Sequence, residues 1–168
     1  MPLAAFLTVE ERVKGGGIVD VGEQQERFPA EAGAITRSAQ QYFEGTSYLW
    51  GGVTPWGADC SGLVQSVFWL HGIQLHRDAW QQAMQGTPGE PDPLSAHAGD
   101  LLFFSDRGDK HVSHVALALG SCAIVHLAIG RGGYAIDKLD DTQDVYVRTL
   151  LHRFVASRRI LAPSRRSH

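Results

Sequence analysis

The stretch Asp59-Cys60-Ser61-Gly62-Leu63-Val64-Gln65-Ser66-Val67-Phe68-Trp69-Leu70 decides how this chain reads. Asp59 is a good helix N-cap, because a short carboxylate accepts from the free N–H groups of a first turn. Leu63, Val64, Val67, Phe68 and Leu70 then form a broad apolar face at helical spacing, and Gly72 ends it. The spacing predicts a central, buried helix with Cys60 in its first turn. A thiol there feels the positive end of the helix dipole and nearby unsatisfied N–H groups. Both lower its pKa and favour the thiolate, the nucleophilic form. The same N–H groups can receive an oxyanion during attack on a carbonyl. Small neighbours, Ser61 and Gly62, leave room for a substrate backbone. A lone cysteine is more often a buried small hydrophobe, and Cys122, in or beside a hairpin turn, fits that bland description. Cys60 sits in a Gly- and Trp-rich context that asks for more.

Working outward, Ile35, Ala39, Tyr42 and Phe43 predict a helix from about 34 to 44, with Gly45 after it. Residues 45–58 form a turn-rich loop with Tyr48, Trp50 and Trp56. Residues 77–86 read as a short helix capped by Gly86, followed by a Pro-rich loop from Pro88 to Pro93. The period then changes. Leu101 to Phe104, Val112 to Leu119, Ala123 to Leu127, Tyr134 to Leu139 and roughly Tyr146 to Ile160 read as strands. Helices first and a strand meander second predict an α+β fold with an antiparallel sheet. Residues 1–33 are loosely patterned, with Gly15-Gly16-Gly17 and an extended-looking Ile18 to Val21. Residues from Arg148 onward carry six arginines and no acid, read as a final strand with a solvated basic tail.

The 168 residues suffice for one domain with a sizeable core, and 43% hydrophobic residues argue against disorder. A formal charge of −3 points away from nucleic acid. No apolar run suggests a membrane span, and Met1 to Leu7 lacks the basic flank of a signal peptide. The expected compartment is therefore the cytoplasm, with secretion as the alternative if the chain is a fragment. A monomer is expected. Two cysteines are too few for a disulfide framework, and no zinc-type Cys/His spacing is present, so neither metal nor cofactor is expected. A His111/His114 metal site is disfavoured, because HxxH on a strand splays its ligands.

A thiol nucleophile needs a base, and the base an orienter. Of eight histidines, His114 and His126 interrupt apolar strands, whereas the others flank helices or lie in polar segments. If the two strands form a hairpin centred on Gly120, residue pairs sum to 240 and His114 lies opposite His126. A two-residue turn at Gly120-Ser121 would put them on opposite faces. Pairing the two therefore predicts an odd-length loop or a bulge. In that arrangement His114 takes the Cys60 proton or forms an ion pair with the thiolate, and His126 holds the His114 ring. The implied chemistry is acyl transfer.

At this point the chain resembles the NlpC-type cysteine peptidases that cut bacterial peptidoglycan peptides. The runs that carry the resemblance are S-Y-L-W-G-G (47–52), D-C-S-G-L-V-Q (59–65), G-I-Q-L-H-R-D-A (72–79), G-D-L-L-F-F (99–104), S-H-V-A-L-A-L-G (113–120) and I-V-H-L-A (124–128). The resemblance implies a papain-like α+β fold over residues 34–160, with 1–33 as an extension, linker or remnant of a targeting domain and 161–168 as a basic tail. It implies a triad of Cys60, His114 and His126. The members it most resembles cleave the γ-D-glutamyl bond to diaminopimelate or lysine in L-Ala-γ-D-Glu peptides, so the implied partner is a peptidoglycan-derived peptide. By that likeness Asp59 pairs with the substrate ammonium, Tyr48 binds substrate or lines the oxyanion site, and Ser61 and Asp78 lie nearby. The chain departs from the family at His76 (usually Pro), Ala79 (often Ser) and Ala116 (usually Gly). An acyltransferase or a wall-binding pseudoenzyme on the same scaffold are the alternatives.

Overall fold

The computed structural model of the chain describes residues 20–161. In chain order the elements are α1 (Val21–Arg27), α2 (Ala32–Phe43), the strands β1 (Val53–Thr54) and β2 (Gly57–Ala58), α3 (Cys60–Leu70), α4 (Ala79–Gln82), β3 (Thr87–Pro88), β4 (Asp100–Phe104), β5 (His114–Gly120), β6 (Ala123–Ala128), β7 (Gly133–Lys138), α5 (Val145–His152) and β8 (Phe154–Arg159). Six strands form one antiparallel sheet in the order β3-β8-β4-β5-β6-β7, and β1 pairs with β2 apart from it. The α+β expectation holds. Among the described residues no helix is long and apolar enough to cross a membrane.

The apolar runs of the strands follow from a sheet covered on both faces. Leu101, Phe103, Val115, Leu117, Val125 and Leu127 pack with α2 and α3 through Ile35, Leu63, Val67 and Phe68. The alternating residues Leu102, Phe104, Ala116, Ala118 and Ile124 pack with Leu139 and with Leu150 of α5. Strand side chains point alternately to the two faces, so both sets must be apolar.

Two sequence expectations need correction. Tyr146 to Ile160 is not one strand. Asp144 accepts from Tyr146 N at 2.7 Å and Val147 N at 3.4 Å, capping α5, and β8 begins only at Phe154. The β-branched Val145, Val147 and Thr149 imitate a strand, while Val147, Leu150 and Leu151 carry the helical spacing that wins. Two of the six arginines are tied into the fold on β8, and residues 162–168 of the expected basic tail lie outside the described residues. Arg159 pairs with Asp100 at 2.7 Å, whose side chain is 1% exposed, and Arg158 Nε donates to Ala83 O at 2.7 Å. Removing Arg159 would strand a buried carboxylate, at a cost of about 3–5 kcal/mol. The helix expected over 77–86 is a single turn, and Gly86 lies beyond it with φ +71°.

At the N-terminal side, Val21 is helical rather than extended, and Ile18, Val19 and the triple glycine lie outside the described residues. Gln24 of α1 donates to Trp69 O and Leu70 O at the end of α3. His71, buried at the C-cap of α3, is held by Pro29 O at 2.7 Å and Ser38 Oγ at 2.9 Å. A carbonyl only accepts, so Nδ1 carries the proton and Nε2 accepts from the serine. Burial pushes the His71 pKa below its usual 6.5. The neutral form therefore stabilises the fold. That contribution is complete above 6.5 and declines as pH falls toward the depressed folded value. The stability gap between wild type and His71→Asn is expected to be widest at pH 7.5 and to narrow as the pH is lowered through 6 in thermal melts. A gap that is constant with pH would contradict this role.

Candidate active site

Three segments meet around the first turn of α3. Asp59 caps it, with Oδ1 accepting from Gly62 N at 2.7 Å and from Ser61 Oγ at 3.3 Å. Oδ2 accepts from Gly51 N at 2.8 Å. Arg77 then closes a two-pronged pair, Nη1 to Oδ1 at 2.9 Å and Nη2 to Oδ2 at 2.7 Å, and Nη1 also reaches Ser61 Oγ at 2.9 Å. This carboxylate, 6% exposed, thus holds the 47–52 loop, the helix start and the 72–79 segment together. Both oxygens of the carboxylate expected to meet a substrate ammonium are thus engaged within the protein, and its charge is balanced by Arg77. Ser61 is committed to the same network. Gly62 is required here, since a Cβ on it would lie 2.0 Å from Gly52 O.

Cys60 opens a cleft of about 920 Å³ that is also lined by Tyr48, Asp78, Trp80, His114 and Arg153. Cys60 is 6% exposed. Burial pushes its thiol up to about 11, although the Val115 N–H, the Ser61 N–H and its own N–H favour the ionised form. The helix terminus expected to lower the pKa is present, but desolvation outweighs it. Burial, then the neighbouring His126 and Arg153, push His114 down to about 3. Burial therefore works against the charged form of both groups. Tyr48, half-buried at the rim, is raised to about 12 by burial and by Cys60 and Asp59, so its hydroxyl keeps its proton and can donate. Asp78 is exposed, at the N-cap of α4. Trp50, in the cleft lining, is 83% exposed.

The two histidines meet as expected, by way of the bulge. Ser121 and Cys122 make a two-residue turn with positive φ, pairing Gly120 with Ala123. Leu119 is then bulged, and from Ala118↔Ile124 the pairs sum to 242 rather than 240. By that register Ala116 opposes His126, and His114 is its diagonal neighbour on the same face. His114 Nε2 lies 2.9 Å from His126 Nδ1. His126, 1% exposed, turns its Nε2 to Asp137 Oδ2 at 3.0 Å.

Asp137 escaped the sequence reading. It stands on β7 between Ala135 and Leu139, and an acid at an inward position of an alternating strand was the available signal. Its carboxylate is held by Arg131, with Nη2 to Oδ1 at 2.8 Å and Nε to Oδ2 at 3.2 Å, and Arg131 also pairs with Asp144. The His126 and Arg131 contacts hold Asp137 below the usual carboxylate range, though burial works against them.

This chain of contacts fixes the protons. Asp137 is ionised and only accepts, so His126 Nε2 bears hydrogen. In the neutral ring His126 Nδ1 then accepts, and His114 Nε2 donates. His114 Nδ1 is left with its lone pair, ready to take a proton. An asparagine at 137 can donate instead, which permits the opposite tautomers. Nitrogen-15 NMR of wild type is expected to show Nε2–H on both rings, and Asp137→Asn to populate Nδ1–H on His114. The same pattern in both proteins would refute Asp137 as the positioning residue.

The chain is similar to several known proteins. The NlpC/P60 family matches residues 45–153. A gamma-D-glutamyl-L-lysine dipeptidyl-peptidase of Bacillus subtilis is 34% identical over 137 residues, covering 74% of this chain and 45% of the relative. The chain spans less than half the length of such curated relatives. An NlpC/P60 family protein from Bacillus cereus superposes with a TM-score of 0.69 at 26% identity, covering 80% of this chain and 42% of that one. The NlpC/p60 domain of the peptidoglycan hydrolase SagA superposes with a TM-score of 0.56 at 33% identity, covering 65% and 90%. With a papain-like α+β fold, a thiol at a helix start and a histidine pair on the facing strands, the chain belongs to the NlpC/P60 family of cysteine peptidases.

Proposed function

We propose that the protein hydrolyses the γ-D-glutamyl bond to a diamino acid in L-Ala-γ-D-Glu stem peptides, with Cys60 as nucleophile and His114 as base. The observation that carries this reading is the chain His114–His126–Asp137, which leaves one lone pair on His114 in the cleft that Cys60 opens. Similarity to peptidases that bear γ-D-glutamyl names supports the choice of bond.

Because burial disfavours both charges, the thiol proton moves to His114 Nδ1 as sulfur attacks the γ-carbonyl carbon, rather than beforehand. The oxyanion is met by N–H groups at the start of α3 and by the Tyr48 hydroxyl. The imidazolium that forms is stabilised through His126 by the Asp137 carboxylate. His114 then gives the proton to the leaving amine, the C–N bond breaks, and a thioester remains on Cys60. Water, deprotonated by the same nitrogen, releases L-Ala-D-Glu and restores the thiol. Asp59 and Ser61 contribute by holding the walls of the cleft, and Asp78 is the carboxylate left facing it.

Incubated with L-Ala-γ-D-Glu-diaminopimelate, wild type is expected to release L-Ala-D-Glu, identified by mass spectrometry, and Cys60→Ala none. Release of a different fragment would overturn the assigned bond, and release by Cys60→Ala the nucleophile. Tyr48→Phe is expected to lower kcat by about 10²-fold, the usual loss of one oxyanion donor, with little change in KM. A loss confined to KM would assign Tyr48 to substrate binding alone.

A further inference from the structure

The cleft carries opposite charges on the side of His114 away from α3. Arg153 follows α5, and its carbonyl accepts from Ser105 N at 2.8 Å, which sets it beside the segment bearing Asp106. Both side chains are exposed and line the cleft. Among the described residues, the Arg153 guanidinium takes no part in an ion pair. Asp106 is held at one oxygen only, by Ser113 Oγ at 2.7 Å, and Ser113 is the residue before His114. Of the other cleft charges, Arg77 is neutralised by Asp59 and Arg107 by Asp109 at 3.1 Å, and the exposed Asp78 stands apart at the N-cap of α4.

His114 must protonate the leaving amine, so the leaving amino acid lies on its side of the cleft. The groups waiting there are one unpaired cation and one half-free carboxylate. Resting on the reaction proposed above, we propose that Arg153 and Asp106 form a subsite for a zwitterionic side chain, the ammonium-and-carboxylate end of a diamino diacid such as meso-diaminopimelate. A lysine at this position offers the ammonium but no carboxylate, and leaves Arg153 unanswered. Arg153 is then the residue that separates the two substrates. A guanidinium suits this task because its planar fork matches a carboxylate at two points. The influence of the Arg153 charge on the ionisation of both Asp106 and His114 fits their proximity.

The test compares kcat/KM for L-Ala-γ-D-Glu-meso-diaminopimelate and L-Ala-γ-D-Glu-L-lysine. Wild type is expected to favour the diaminopimelate peptide by about ten-fold, the effect of one charge-assisted hydrogen bond. Arg153→Gln is expected to bring that ratio to near unity, and amidating the distal carboxylate of the substrate to do the same in wild type. Equal turnover of both peptides by wild type, or a ratio unmoved by Arg153→Gln, overturns the subsite and leaves the hydrolase reading standing. Calorimetric binding of the two peptides to Cys60→Ala separates the opposite case. A diaminopimelate preference in binding that Arg153→Gln removes, without turnover by wild type, supports the subsite and overturns the hydrolase reading.

Discussion

The buried carboxylate of Asp59 is the constraint on which one wall of the cleft depends. Taken alone, burying it would be costly. Here two backbone amides, a hydroxyl and a guanidinium fork meet it. Each donor belongs to a segment that must be placed: Gly51 to the loop carrying Tyr48 and Trp50, Gly62 and Ser61 to the start of α3, Arg77 to the approach to α4. Gln82 adds a second tie, donating to Ser61 O at 3.1 Å and His76 O at 2.9 Å. Cys60 is positioned because its neighbours have no freedom left.

The facing wall solves a different problem. A half-buried base must keep one lone pair pointed at its task, and a neutral imidazole can place its proton on either nitrogen. The route from Asp137 through His126 to His114 settles that choice by acceptor logic alone. Arg131 keeps Asp137 ionised, and Tyr146 packs against both Arg131, 4.3 Å from its ring centroid, and His126, at 6.1 Å between rings. Burial thus does two things at once. It suppresses charge on the resting thiol and imidazole, and it strengthens the hydrogen bonds that orient them.

Much of this was legible in the sequence because it rests on local rules. The cap at Asp59, the apolar face of α3 and the stop near Gly72 are short-range signals, and each is where it was expected. Parity alone required an irregular hairpin between the histidines, and the bulge at Leu119 supplies it. What escaped depends on contacts between distant segments. Asp137 gains meaning only when β7 lies beside β6, and Asp100 only when Arg159 returns on β8. Helix α5 was hidden by β-branched residues whose local preference was overridden by packing of Leu150 on the sheet. Desolvation of Cys60 is likewise a property of the assembled core, so the helix-dipole argument, right in sign, gave the wrong net direction.

The central claim is that Cys60 attacks the γ-glutamyl carbonyl while His114 takes its proton. Acid quenching during turnover of L-Ala-γ-D-Glu-diaminopimelate, followed by mass spectrometry of the intact protein and its peptides, tests it most directly. The account predicts an adduct on Cys60 with the mass of L-Ala-D-Glu less one water, formed by wild type and lost on treatment with hydroxylamine. Turnover by Cys60→Ala at a rate like that of wild type, or a wild-type adduct on a residue other than Cys60, would contradict it.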